Sequence, residues 1–192
     1  MKHSIQKSTR PESPLYGRGL GEASYFTIQE LSASATAERL AIDNTPPHAA
    51  RKMLTILIEQ LLDPIRRRYG APIIVTSGYR SPALNTAVGG VTNSHHIVGC
   101  AADVTTGSIE QNKQLFALII EMQTTHAIRF TQLIAEEGYR WLHISYVPGM
   151  LRNQVIDVNT QIDADVNVND NQPSGSQQLT SALSLRDYQD SG

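Results

Sequence analysis

One stretch constrains the fold and chemistry of this chain more than any other: Ser94-His95-His96-Ile97-Val98-Gly99-Cys100-Ala101-Ala102-Asp103. A second histidine site follows in Trp141-Leu142-His143-Ile144-Ser145. Two imidazoles and one carboxylate from separate elements are the incomplete ligand set with which a catalytic zinc site keeps one coordination position open. A structural zinc site would use four protein ligands, usually including cysteine, and this chain has one cysteine.

Strand geometry indicates how the first stretch would face a metal. In an extended chain successive side chains alternate between faces, so Gly99, Ala101 and Asp103 would point one way and Cys100 the other. Gly99 and Ala101 are small, so we expect them to leave room beside Asp103 for an ion and a substrate backbone. Cys100 is then expected to be a small buried residue rather than a thiolate ligand.

The same alternation applies to the second stretch. Trp141, His143 and Ser145 would share one face, with Leu142 and Ile144 on the core side. We therefore expect His143 to face a cleft, with Trp141 beside it.

Together with Ser77-Gly78-Tyr79-Arg80-Ser81-Pro82-Ala83-Leu84-Asn85, these residues resemble the zinc D-Ala-D-Ala carboxypeptidase and murein endopeptidase family, peptidase M15. The pattern Ser-x-His-x-x-Gly-x-Ala-x-Asp, followed by Trp-x-His, is present in full and in order. The resemblance extends from about Tyr25 to about Val155 and is strongest to the subgroup common in phages and prophages.

The resemblance implies an α+β fold: a small antiparallel sheet with helices packed on one side and zinc in an open cleft. It implies one zinc per chain, held by His96, Asp103 and His143, with His95 left out of the ligand set. Arg80 would assist at the scissile carbonyl, and Arg80 and Trp141 would contact the substrate. The implied reaction is hydrolysis of peptide bonds in peptidoglycan stem peptides or cross-links, by a D-Ala-D-Ala carboxypeptidase or a murein endopeptidase.

The residue that moves protons is less well defined by the pattern. In the best-known branch of the family an acidic residue stands three places before the last zinc histidine, and here that position is Arg140. We choose Glu136 over Glu137 as the general base, by resemblance to the phage-type subgroup. A two-residue turn at Glu137-Gly138 would pair Glu136 with Tyr139 and place it on the face of His143, whereas a three-residue turn would place it on the other face.

Arg80 has two alternative roles that the sequence does not separate. Its fixed charge could stabilise the oxyanion, or its planar guanidinium could bind a carboxylate of the substrate peptide.

Charge and composition narrow the class of partner. The formal net charge is -2, and residues 151–192 carry two arginines and six aspartates, so the rest of the chain is mildly basic. A mildly basic body is compatible with an anionic cell wall but lacks the concentrated basic face of a nucleic-acid-binding protein. No segment approaches the roughly 20 apolar residues that span a bilayer.

Local patterns divide the chain into a polar N-terminal arm (1–24), a peptidase domain (25–155) and a polar tail (156–192) that we expect to be mostly disordered. Within the domain, Thr27 and Ser108 are expected helix caps, the latter for a helix through about Gln123. Pro64 should kink or divide the long helix after Thr45-Pro46-Pro47, and Gly70 should end it.

The N-terminal arm has no apolar run typical of a secretory signal. A protein that acts on peptidoglycan without one would be released from the host cytoplasm at phage lysis or carried in a virion.

Two alternative functions remain open. The first is a virion, tail or cell-wall-binding protein that keeps the fold but not the activity, and the second is a structural module without wall contact. A Ser-His-Asp triad of Ser94, His96 and Asp103 is conceivable, but the short separations and the second histidine favour a metal.

Overall fold

The computed structural model describes residues 24–157. Its helices are α1 (Ile28–Ser32), α2 (Ala35–Arg39), α3 (His48–Leu57), α4 (Asp63–Tyr69), α5 (Pro82–Ala87) and α6 (Ile109–Thr124). Its strands are β1 (Ile74–Ser77), β2 (Ala101–Thr105), β3 (Gln132–Glu136), β4 (Trp141–Ser145) and β5 (Gln154–Asp157). All but the last residue of the predicted arm, and most of the predicted tail, lie outside the described residues.

The five strands form one mixed sheet in the order β1-β2-β4-β3-β5. The first four strands pair antiparallel, as predicted, and β5 adds a parallel edge beside β3. The predicted α+β class is therefore confirmed, with a sheet that is mixed rather than wholly antiparallel. The parallel edge strand continues to Asp157, two residues past the domain end expected from the sequence.

The apolar core lies between one face of the sheet and the helices. Leu142 and Ile144 of β4 are fully buried on this face, as the alternation predicted. They join Val104, Leu133 and a set of helix residues that are also buried: Leu54, Leu57, Leu61, Leu62, Ile65, Leu115 and Ile119. Because the helices cover this face, the opposite face is left to form a cleft. Within residues 24–157, no helix has the length and apolar character needed to cross a membrane.

The long helix after Pro47 is divided as predicted. α3 passes through a π-helical segment, Ile58–Leu62, before α4 begins. Pro64 has no amide hydrogen to donate within a helix, and the wider turn before it lets Asp63 N donate to Ile58 O. Gly70 ends the helix in the left-handed conformation, with φ of 77°.

Two predicted helix starts are also confirmed. Thr27 accepts a hydrogen bond from Glu30 N at 3.0 Å, and Ser108 accepts one from Gln111 N at 3.2 Å. Each hydroxyl satisfies an amide that has no partner within the helix.

The predicted position of Gly99 is wrong. The strand begins only at Ala101, and Gly99 has a left-handed φ of 73°, so it does not alternate with Asp103. A Cβ on Gly99 would lie 2.5 Å from Ala50 O. The missing side chain therefore lets the chain turn tightly against α3 and makes no room for an ion.

The β3–β4 hairpin has a four-residue loop, 137–140, so both predicted turn lengths were wrong. Glu136 pairs directly with Trp141 instead of Tyr139. Because Trp141 and Tyr139 differ by two positions, Glu136 still lies on the face of His143, as the two-residue alternative predicted. Three consecutive loop residues, Glu137, Gly138 and Tyr139, have left-handed φ of 42°, 71° and 66°.

A side chain in the loop fastens it to the edge strand. The Tyr139 hydroxyl donates a hydrogen bond to the Asp157 carboxylate of β5. Burial, together with this bond and the nearby negative charge, raises the pKa of Tyr139 to about 12. The ring also packs edge-on against Phe116 of α6, with centroids 5.3 Å apart.

The fully buried Asn112 of α6 joins the hairpin loop to the end of β2. Its Nδ2 donates to Tyr139 O at 2.9 Å and Arg140 O at 3.0 Å. Its Oδ1 accepts from Thr106 N at 2.7 Å. One side chain thus hydrogen-bonds backbone groups from two loops.

We expect Asn112→Ala to lower the free energy of unfolding by about 2–4 kcal/mol, because three hydrogen bonds from a fully buried side chain to part-buried backbone groups would be lost. Urea denaturation measures this change. The exposed Gln114 lies on the same helix, so Gln114→Ala should change stability by no more than about 0.5 kcal/mol. An unchanged urea midpoint for Asn112→Ala would contradict this role.

Candidate metal centre

Three potential ligands meet on the open face of the sheet. Asp103 of β2 is the direct cross-strand partner of His143 of β4. Their side chains share a face, and Asp103 Oδ1 lies 2.9 Å from His143 Nδ1. His96, in the loop before β2, places its Nε2 3.2 Å from Asp103 Oδ1 and 3.2 Å from His143 Nδ1. The three residues that the resemblance selected are therefore brought together.

The backbone fixes the orientation of His96. Its ring Nδ1 lies 2.6 Å from Gly78 O, so this nitrogen carries the proton and Nε2 presents a lone pair to the cluster. Gly78 itself is packed so closely that a Cβ would lie 2.1 Å from Leu31 O. Arg80 N donates to His96 O at 3.2 Å, which ties the two loops together.

The donor set fits a zinc ion. In a tetrahedral site with bonds of about 2.0–2.1 Å, neighbouring ligand atoms lie about 3.3 Å apart. The separations of 2.9, 3.2 and 3.2 Å are close to that value. With Nδ1 of His96 protonated, its Nε2 and Asp103 Oδ1 are both lone-pair atoms, and a shared cation removes the repulsion between them.

Asp103 is held in its ionised form. Burial alone would raise its pKa, but the close contacts with the His143 and His96 rings hold the pKa well below its ordinary value. The carboxylate is also bound on its other oxygen, where Arg80 Nη2 donates to Oδ2 at 2.6 Å. Arg80 Nε donates to Ser77 Oγ at 2.8 Å, so the guanidinium is fixed by two neighbours.

The cluster opens into a cleft of about 630 Å³. Glu136 and Trp141, which are cross-strand partners, line the cleft on one side of His143. Glu136 is half-buried, so its carboxylate is accessible from the cleft. The predicted face of His143, with Trp141 beside it, is confirmed.

The second candidate base lies elsewhere. Glu137 is exposed and forms an ion pair with Arg140 at 3.1 Å. Neither Glu137 nor Arg140 lines the cleft. The structure therefore separates the two glutamates that the sequence left adjacent.

The Ser-His-Asp alternative lacks its central contact. Ser94 Oγ accepts a hydrogen bond from the backbone amide of His96 at 3.3 Å. Both ring nitrogens of His96 are directed elsewhere, toward Gly78 O and toward the Asp103–His143 pair. This geometry gives Ser94 no imidazole base.

The remaining thiol and imidazoles do not join the donor group. Cys100 is buried, and its burial raises the pKa of the thiol. His95 lines the cleft but lies outside the donor group, and burial, with the nearby His143, lowers its pKa. His48 and His126 are exposed, while His3 lies outside the described residues.

Sequence reasoning missed one end of the cleft. Four residues there come from the start of β3, the β4–β5 connection and β5: Gln132, Met150, Arg152 and Gln154. Met150, Arg152 and Gln154 belong to no motif, and the parallel pairing of β5 with β3 brings Gln154 beside Gln132. Their only sequence signal is that they follow closely on His143.

Comparison with known proteins agrees with this geometry. A family model described as peptidase M15 matches residues 24–145, which is more than half of the chain. The chain belongs to the peptidase M15 family. A search of curated protein sequences found no match to it.

Peptidase M15 enzymes are zinc-dependent metallopeptidases, and membership points to peptidase activity on cell-wall peptides. The matched region contains the three potential ligands, Arg80, Glu136 and Trp141. It ends at Ser145, so the β4–β5 connection and β5 lie beyond it.

We expect purified protein to contain about one zinc per chain, and His96→Ala or His143→Ala to lose most of it, because two ligands hold zinc far more weakly than three. Elemental analysis after dialysis measures the content. His95→Ala and His126→Ala are matched controls that should retain the metal. Full zinc content in either ligand variant would refute the assignment.

Proposed function

We propose that this M15 peptidase hydrolyses peptide bonds in the stem peptides or cross-links of peptidoglycan, with one zinc ion held by His96, Asp103 and His143. The observation that supports this most directly is the group of three donor atoms at the floor of an open cleft. Half-buried Glu136 lines the same cleft. A bound zinc would polarise the scissile carbonyl and lower the pKa of water to about 7.

Glu136 acts as the general base in this mechanism. Its carboxylate takes a proton from the attacking water and returns it to the leaving amine. Glu136 pairs with Trp141 and is two residues along β3 from Ile134, the partner of His143. The strand pairing therefore places the Glu136 carboxylate one row from the donor group, on the same face of the sheet.

Arg80 acts as a fixed positive charge beside the reacting carbonyl. The guanidinium is already bound to Asp103 and Ser77, so it is preorganised to stabilise developing negative charge. The same contacts orient Asp103 as a ligand. They also favour the oxyanion role over capture of a substrate carboxylate. Trp141 forms part of the surface on which the peptide lies.

The biological setting that we propose is cell-wall degradation during phage lysis or entry. The protein would then act in the wall after release from the host cytoplasm, or as a virion or tail component. The competing possibility is a wall-binding protein that keeps the M15 fold without activity.

Digestion of purified peptidoglycan tests the activity. We expect new soluble peptides with wild-type protein, loss of products with a chelator, and recovery on adding zinc. Mass analysis of the products distinguishes a D-Ala-D-Ala carboxypeptidase, which releases D-alanine, from an endopeptidase, which cuts within the peptide. Binding without any cleavage would favour the wall-binding alternative.

Glu136→Gln should reduce kcat by at least about 100-fold, since general base catalysis contributes factors of about 10²–10⁴. Zinc content should stay near one per chain, because Glu136 is not among the three donors. Glu137→Gln is the matched control and should retain most activity. If Glu136→Gln kept wild-type activity, the base would be another residue.

A further inference from the structure

One end of the cleft carries an arginine side chain that has no role in the proposed mechanism. Arg152 lines the cleft, at the opposite end from Glu136 and Trp141. We propose that Arg152 binds a free carboxylate of the peptide substrate and so makes the enzyme select acidic over amidated stem peptides. This inference rests on the proposed function and adds a specificity determinant to it.

The sheet register defines the two ends. Across β4 and β3, Trp141 faces Glu136, His143 faces Ile134, and Ser145 faces Gln132. The donor group is thus in the middle row, with the proposed base one row away in one direction. Gln132 is one row away in the other direction and is paired with Gln154 of β5.

Row spacing sets the length of peptide involved. Side chains on one face recur every two residues, which is about 7 Å. Arg152 lies just before Gln154, so its end of the cleft begins about 7 Å from the donor group. An extended peptide with its scissile bond at the donor group would therefore place a carboxylate there roughly two residues away.

The backbone on both sides of Arg152 is anchored. Arg129 Nη2 donates to Leu151 O at 3.1 Å. Asn153 N donates to Phe130 O at 2.9 Å, and Asn153 Oδ1 accepts from Phe130 N at 3.0 Å. These bonds on neighbouring residues hold the loop to the start of β3. Arg152 is therefore presented from a fixed position, which lowers the entropic cost of binding.

The charges in the cleft leave Arg152 available. Within residues 24–157, its guanidinium has no hydrogen-bond or ion-pair partner. The other arginine in the cleft, Arg80, is bound to Asp103 and Ser77. A carboxylate entering this end would meet one accessible guanidinium and be distant from Glu136.

Amide groups beside Arg152 would complete a carboxylate site. Gln132 Nε2 donates to Gln154 Oε1 at 3.0 Å, which orients the second amide and leaves Gln154 Nε2 as a donor. A guanidinium with a neighbouring amide donor matches the two oxygens of a carboxylate. Conversion of that carboxylate to a primary amide removes its charge and replaces one acceptor with a donor.

The test uses synthetic L-Ala-γ-D-Glu-L-Lys-D-Ala-D-Ala and two variants of it, one amidated at the D-Glu α-carboxyl and one at the C-terminus. For wild-type protein, kcat/KM on the unmodified peptide should exceed kcat/KM on one of the two amidated peptides by at least about 10-fold. Most of this difference should come from a higher KM for the amidated peptide. Arg152→Gln should lose about 10-fold on the unmodified peptide and change less than about 2-fold on that amide.

Arg140→Gln is the matched control, because Arg140 is an exposed arginine that does not line the cleft and pairs with Glu137 outside it. This variant should keep the wild-type preference for the unmodified peptide over the amidated one. Equal loss on all three peptides in Arg152→Gln would overturn the proposal, and so would the same loss of preference in Arg140→Gln.

Calorimetric binding to zinc-loaded Glu136→Gln separates this inference from the proposed function. Weaker binding of the same amidated peptide, with the difference lost in Glu136→Gln/Arg152→Gln, supports the carboxylate site even if no peptide is hydrolysed. Equal affinity for the three peptides would overturn it even if hydrolysis is confirmed.

Discussion

The antiparallel pairing of β2 with β4 is the constraint on which the rest of the site depends. It places Asp103 directly opposite His143, so a carboxylate and an imidazole from distant parts of the sequence converge on one face. His96 then needs only a short loop before β2 to add the third donor, and Gly78 O orients its ring. A slip of one residue in this pairing would turn one of the two ligands into the core.

The two faces of the same sheet have different roles: one packs against the helices, and the other carries the potential ligands. Leu142 and Ile144 alternate with His143 along β4 and pack under the helices, so the strand that carries a ligand is also held by the core. Asn112 and Tyr139 extend this support to the hairpin, where they fasten the loop between Glu136 and Trp141 to α6 and β5. Rigid support of this kind keeps metal ligands and a base in a constant relative position.

Residues of the same type in and around the cleft differ in whether their charge is already paired. Arg80 and Arg152 are both arginines in the same cleft, but Arg80 is bound to a ligand carboxylate and Arg152 is accessible. The fixed Arg80 is suited to stabilising negative charge at the reacting carbonyl. The accessible Arg152 is suited to binding a carboxylate of the substrate. Glu136 and Glu137 differ in the same way, since Arg140 pairs with Glu137 outside the cleft.

The sequence by itself determined the family, the three potential ligands, the helix caps, the division at Pro64 and the side of β4 that faces the core. The caps, the division and the buried side follow from local spacing, since they depend on residues within a few positions of each other. The family and the ligands are implied by the resemblance of the motifs taken together. The tertiary structure alone decided the four-residue hairpin loop, the packing role of Gly99, the separation of Glu136 from Glu137 and the position of Arg152. These depend on which distant backbone lies alongside, and that is set by the packing of the whole sheet.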